Sequence, residues 1–166
     1  KQKIIKTLEL PEGQKWRIDM LNILHASYSK SYFYEDVRGD IEELIMFDCQ
    51  YFDEFSINVI YFFLKTLNIE KICFVDKDLD KKFGEANNRL VNLCNEVNAS
   101  KYLSGIGAKS YIDEDIFIKN GIDIIYQDYF PRPYKQLSNE FIPGLSIIDA
   151  LFNCGYCETE KLIKYQ

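Results

Sequence analysis

The chain has 166 residues, 47% hydrophobic and 28% charged, with a formal net charge of −6 and 12 Tyr and 12 Phe. That length suits one domain with a real core, and the composition is far from that of a disordered chain. The negative balance argues against a nonspecific nucleic-acid surface, which needs clustered Lys and Arg, and no apolar run is long enough to cross a bilayer.

The first ten residues, KQKIIKTLEL, form a short β-branched and apolar run stopped by Pro11-Glu12-Gly13, which predicts a strand. This mixed opening is unlike a basic start followed by a long apolar stretch, so secretion is not expected. From Gln14, apolar positions Trp16, Met20, Ile23, Leu24 and Tyr28 recur at helical spacing and predict a helix ending near Ser31. Two more helices are expected, one across Asp40 to Phe47 and one over 53–67, where Phe55, Val59, Phe62 and Phe63 share a face.

IEKICFVD, residues 69–76, is a continuous β-branched and aromatic run that predicts an internal strand covered on both sides. Residues 84–97 return to helical spacing through Leu90, Val91, Cys94 and Val97, and KYL at 101–103 reads as a short strand. After a glycine-bearing turn, SYIDEDIFIKNG predicts a helix closed by Gly121. Residues 122–129 make another buried-type strand, followed by the proline-rich FPRPYKQLSNEFIPG, a helix from Ser146 to Asn153 and a short tail helix over ETEKLIKY. Strands alternating with helices predict a single α/β domain over 1–166, a layered sandwich with a mostly parallel sheet flanked by helices.

Ligands of open α/β sheets sit beyond the carboxyl ends of the strands, which puts SGIGAKSY on the functional edge. Gly105 and Gly107 let backbone N–H groups approach an anion at a following helix start, and Ser104, Lys109 and Ser110 add donors. A plain turn explains the same residues, and the stretch matches neither the P-loop nor the dinucleotide fingerprint. Tyr126, Gln127, Tyr134 and Gln136 surround a proline-stiffened loop, where aromatic faces and amides suit neutral polar ligands such as sugars; an ordinary packed loop is the competing reading.

Ser146 stands at an N-cap with Asp149 three residues on, which resembles a capping box, and the bland reading makes Asp149 a capping residue. The alternative makes Asp149, among Ile147, Ile148, Leu151 and Phe152, a carboxylate at a cleft, where burial favours a general base. CGYC at 154–157 has redox or zinc spacing, but His25 is the single histidine and further ligands are lacking, so no metal is expected. His25 itself reads as structural. Five cysteines, an odd number spread through core-like segments, argue against a disulfide framework and for a reducing cytoplasm.

LVNLCNEVNASKYLSGIGAKSYIDEDIFIKNGIDIIYQDYFPRPYKQLSNEFIPGLSIIDALFNCG, in its order of elements, resembles the carboxyl half of the WbqC-like family, bacterial proteins found among polysaccharide and O-antigen genes. Tyr102-Leu103-Ser104-Gly105, Tyr111 with Asp113, Tyr126-Gln127, Tyr134, Gln136, Phe141-Ile142-Pro143 and Leu145 through Asn153 carry the likeness. KWRIDMLNILHASYSKSYF is similar to the family's tryptophan-led helix. The family's amino-terminal Gln-Pro segment is not found ahead of Lys1, so the chain is expected to lack that part; and Asp76-Lys77-Asp78-Leu79 stands where the family has a serine-containing turn.

The resemblance implies a role in making a surface glycan, with an acyl or aminoacyl group transferred to a nucleotide-linked amino sugar. It places a phosphate or carboxylate at Ser104 to Lys109, sugar or acceptor recognition at Tyr126, Gln127, Tyr134 and Gln136, and deprotonation of an attacking amine at Asp149, with Tyr111 and Ser146 as further substrate-binding candidates. Two other readings stand beside it: a noncatalytic scaffold in a glycan assembly complex, and an ATP-dependent amino-acid-activating enzyme. No cofactor is assigned, and the composition is compatible with a homo-oligomer.

Overall fold

The computed structural model describes residues 5–75 and 83–164. In chain order they form α1 (Lys15–Tyr28), α2 (Tyr34–Met46), α3 (Phe52–Thr66), α4 (Ala86–Glu96), β1 (Lys101–Gly105), α5 (Glu114–Lys119), β2 (Asp123–Gln127) and α6 (Ile147–Lys164). They fall into two compact units, Lys1–Phe74 with Pro131–Gln166, and Val75–Phe130.

In the first unit, Val37, Ile41 and Ile45 of α2 recur at four-residue spacing and pack with Leu151 and Phe152 of α6 and with Leu67 just past α3. The helix α2 begins at Tyr34, six residues before the sequence reading placed it. Tyr34 and Val37 extend the same stripe across Gly39, and Glu35 and Asp36 lie favourably in the first turn. Along α1 the period was legible but the phase was not. Leu21, Leu24 and Tyr28 pack against the core, whereas Met20 and Ile23 face solvent.

Arg17, the buried residue on that helix, donates from Nε to the Ile45 carbonyl at 2.9 Å and from Nη2 to the Phe47 carbonyl at 3.0 Å. It thereby caps the otherwise unpaired carbonyls at the end of α2. The guanidinium also lies 4.3 Å from the centroid of the Trp16 ring.

The expected strand over the first ten residues is not formed between residues 5 and 10. A 3-10 turn at Ile5–Thr7 and one antiparallel bridge, Glu9 with Tyr51, replace it. Residues 69–75 likewise form no strand, and Ile72 and Phe74 are exposed, so the internal strand expected there is not observed. A short apolar run specifies a strand only when a neighbouring ladder satisfies its backbone, and no described strand pairs with it. Asp76 and the Asp76–Leu79 turn lie outside the described residues.

In the second unit β1 and β2 run parallel, with Lys101 opposite Asp123 and Gly105 opposite Gln127. The core is Val91, Cys94, Phe117 and Ile122, with Tyr102 and Ile124 against it. The class is therefore α/β with a parallel sheet, as expected, but the sheet has two strands among the described residues. The helix expected over SYIDEDIFIKNG is shortened to α5, which ends at Lys119 just before Gly121 at φ 70°, while a 3-10 segment, Ile106–Ser110, precedes it.

The last helical stretch is broken at Gly155 (φ 73°, ψ 176°), close to the boundary expected between the two C-terminal helices. A Cβ there would stand 2.9 Å from Cδ1 of Phe33, so both the conformation and the space require glycine.

Candidate functional site

The first unit builds a polar centre around Asp149. Pro143-Gly144 turns the chain, with Gly144 at φ 74°, into α6, where the Ser146 hydroxyl accepts the Ile148 N–H at 3.3 Å as an N-cap. The Asp149 carboxylate does not complete a capping box. Three residues into the helix it faces inward, is buried, and takes its hydrogen bonds from the 134–136 loop and from Asn153 one turn along the same helix.

Its Oδ2 accepts the Tyr134 hydroxyl at 2.6 Å and Gln136 Nε2 at 3.0 Å, and its Oδ1 accepts Asn153 Nδ2 at 3.2 Å. Asn153 Nδ2 also donates to the Asp149 carbonyl at 2.9 Å, while its Oδ1 accepts the Ser31 hydroxyl at 3.3 Å. Gln136 is fully used: Nε2 donates to the Ile142 carbonyl at 3.0 Å, and Oε1 accepts the Ile142 N–H at 2.8 Å. A buried carboxylate is tolerated only when so many donors replace its water.

The two tyrosines on this carboxylate hold their protons tightly. Burial, then the Asp149 charge, push Tyr28 up to about 12. Burial and the hydrogen bond to Asp149 likewise push Tyr134 well above the ordinary phenol value. At neutral pH both phenols therefore keep their protons, and Tyr134 donates its own to Asp149.

Beside this centre a hollow of about 390 Å³ opens within the 134–141 loop, lined by Tyr134, Lys135, Gln136, Ser138, Asn139 and Phe141. Tyr134 and Gln136 line it, and both also bond Asp149. The arrangement gives a polar recess with a phenol in its wall and a carboxylate behind that phenol. Cys154 is half-buried nearby, its thiol pushed up by burial and the charges of Glu158 and Asp149, which disfavours a thiolate nucleophile. Among the described residues no three His, Cys, Asp or Glu side chains gather as a metal site.

The structure thus brings together Asp149, Tyr134, Gln136 and, as cap of the same helix, Ser146. The other candidates belong to the second unit. Ser104 is buried and its hydroxyl donates to the Gly105 carbonyl at 3.4 Å. Gly105 has φ −68°, Gly107 has no positive φ, and a Cβ at either would meet nothing within 4 Å. Neither glycine is thus demanded by its own backbone, and both present open space. Lys109 Nζ lies 5.5 Å from the centroid of the Tyr126 ring, whose hydroxyl donates to Glu114 Oε1 at 2.8 Å. Tyr111 is exposed, and Gln127 is exposed at the end of β2.

Sequence reasoning missed Tyr28, Asn153 and Ser31 as parts of the Asp149 centre. Asn153 could have been found from its i+4 spacing to Asp149 on one helix, and Tyr28 from its helical register with Leu21 and Leu24. Ser31 carries no such signal. His25, read as structural, faces the Tyr34 hydroxyl through Nδ1 at 2.9 Å.

Comparison with known proteins gives two matches. The protein of Mycobacterium tuberculosis (strain ATCC 25618 / H37Rv) named "Uncharacterized protein Rv1507c" is 44% identical over 78 residues, covering 46% of this chain and 33% of that protein. The matched part thus spans about a third of that relative's length. No solved structure matches significantly. The sequence model of the WbqC-like protein family matches residues 1–161, nearly the whole chain, and the chain belongs to the WbqC-like protein family.

Proposed function

We propose that this chain acts in surface polysaccharide biosynthesis, transferring an acyl or aminoacyl group to the amine of a nucleotide-linked sugar. The observation that carries the reading is the 2.6 Å bond from Tyr134, in the wall of the loop hollow, to the buried Asp149. The sugar occupies the hollow, with Phe141 and Tyr134 offering ring faces and Asn139, Ser138 and Lys135 offering polar contacts.

The acceptor amine attacks the acyl carbon of an activated donor; a C–N bond forms, and the leaving group departs with its electron pair. The amine proton passes to the Tyr134 oxygen as the Tyr134 proton moves to Asp149 Oδ2. Asp149 thus acts as base through Tyr134, a contribution of about 10²- to 10⁴-fold in rate. Gln136 and Asn153 keep the carboxylate aimed. In the second unit, the open glycine backbone and the Lys109 ammonium are suited to a phosphate or carboxylate.

The test is titration calorimetry of a broad panel of nucleotide sugars against the complete chain. Saturable heat with an amino-sugar nucleotide, lost in Tyr134→Phe, supports the reading; no heat with any of them overturns it. Pyrophosphate release with ATP and a small amino acid would instead mark amino-acid activation. A scaffold reading draws on one observation, the exposed pair Leu103 and Ile125 at matching register in β1 and β2. Retained association with glycan-assembly proteins in a variant that binds no nucleotide sugar would favour it.

A further inference from the structure

A second cavity of the first unit, about 340 Å³, lies between α1 and α2 and shares no residue with the 134–141 hollow. Its floor is apolar: Leu21 and Leu24 of α1, Ile41 of α2 and the Phe152 ring, with Ile41 and Phe152 fully buried. Polar groups stand over this floor. Asn22 and His25 come from α1, and Arg38 and Glu42 come from α2.

The charged pair is only partly used by the fold. Arg38 donates through Nε to Glu35 at 2.8 Å in an exposed pair, which leaves the two terminal nitrogens of the guanidinium without a partner among the described residues. Two parallel N–H groups on one edge are the fork that matches a carboxylate. Glu42, one helical turn further along α2, has no hydrogen-bond or ion-pair partner among the described residues. A cation-accepting group therefore sits beside an anion-accepting one, both over hydrocarbon. A ligand complementary to this set is a compact zwitterion with an aliphatic tail.

We propose that the α1–α2 groove binds a free α-amino acid with an aliphatic side chain, such as leucine. Its carboxylate meets the Arg38 fork, its ammonium meets Glu42, and its side chain lies against Leu21, Leu24, Ile41 and Phe152. The volume falls in the range of small-ligand sites, whose walls are mostly apolar with a few placed polar groups. Because the groove residues differ from those of the loop hollow, this site stands whether or not a nucleotide sugar binds there.

His25 supplies the reporter. It lines the groove and is the single histidine of the chain, so its imidazole proton resonances are unambiguous. The experiment titrates L-leucine into the complete chain and follows those resonances by NMR. The expected result is a saturable shift, with leucinamide and N-acetylleucine each requiring about tenfold higher concentration because one charge is missing.

Arg38→Gln, at an exposed position, is expected to weaken leucine about tenfold while leaving leucinamide unchanged, and Glu42→Gln to weaken leucine while leaving N-acetylleucine unchanged. No shift with leucine overturns the proposal, as does an equal response to all three ligands. Loss of leucine binding without discrimination between the blocked analogues in these variants also overturns the assignment of Arg38 and Glu42.

Discussion

Replacing Asp149 by asparagine keeps the shape of the side chain and removes its charge, which isolates the electrostatic part of the buried centre. Oδ2 receives two donors, from Tyr134 and Gln136, and Oδ1 receives one, from Asn153. An asparagine can present its oxygen to the first pair, but its NH₂ then faces the Asn153 NH₂. Asn153 cannot simply flip, because its Oδ1 accepts from Ser31 and its Nδ2 also serves the Asp149 carbonyl. Turning two charge-assisted bonds into neutral ones costs about 1 kcal/mol each, and one buried donor facing another costs about 1–3 kcal/mol more. The expected loss is about 3–5 kcal/mol, a large part of the stability of a typical domain. Urea unfolding followed through the fluorescence of Trp16, the single tryptophan and a residue of the first unit, reads this loss directly. A midpoint change worth less than about 1 kcal/mol at unchanged slope would refute the view that the carboxylate's charge organises this centre.

Alkaline pH acts on the same centre. The pKa of Tyr28 is raised in the folded protein from 10.0 to about 12, so the stability it contributes is complete below pH 10 and is lost as pH climbs through 12. Tyr28→Phe is expected to flatten the decline in unfolding midpoint over that window. Gly155→Ala forces φ 73° on a side chain whose Cβ meets Phe33 at 2.9 Å, and a loss of about 2–4 kcal/mol is expected in thermal unfolding. Arg17→Ala leaves two carbonyls at the end of α2 without their donor and is expected to cost about 2–3 kcal/mol; Arg17→Lys, lacking the fork, should not restore it. Thr159 is buried with a hydroxyl that has no hydrogen-bond partner among the described residues, so Thr159→Val should be neutral or stabilising by about 1 kcal/mol in the same assay.

The helices were legible because their apolar residues recur at a period the sequence displays: α3 and α4 begin and end within a few residues of where the spacing puts them. Phase was harder. Met20 and Ile23 are as apolar as Leu21 and Leu24, and only the neighbouring helices decide which pair is covered. The strand expected at 69–75 failed for a related reason, since a ladder needs a partner that composition does not reveal. At the site, Tyr134, Gln136 and Asp149 could be picked out as chemistry-bearing, but their roles in the packing could not. The sequence suggested that Asp149 caps its own helix, whereas long-range contacts turn it toward Tyr134, Gln136 and Tyr28. Ser31 enters the centre through a partner 122 positions away, a distance over which spacing carries no information.

The clasp between Gln136 and Ile142 has its own consequence. One amide side chain answers both backbone groups of Ile142, as an adjacent strand would, and so ties the ends of a short stretch without help from what lies between. Residues 137–141 are thereby relieved of holding the chain together. Exchanging them is a way to retune what the recess accepts while the scaffold beneath stays intact.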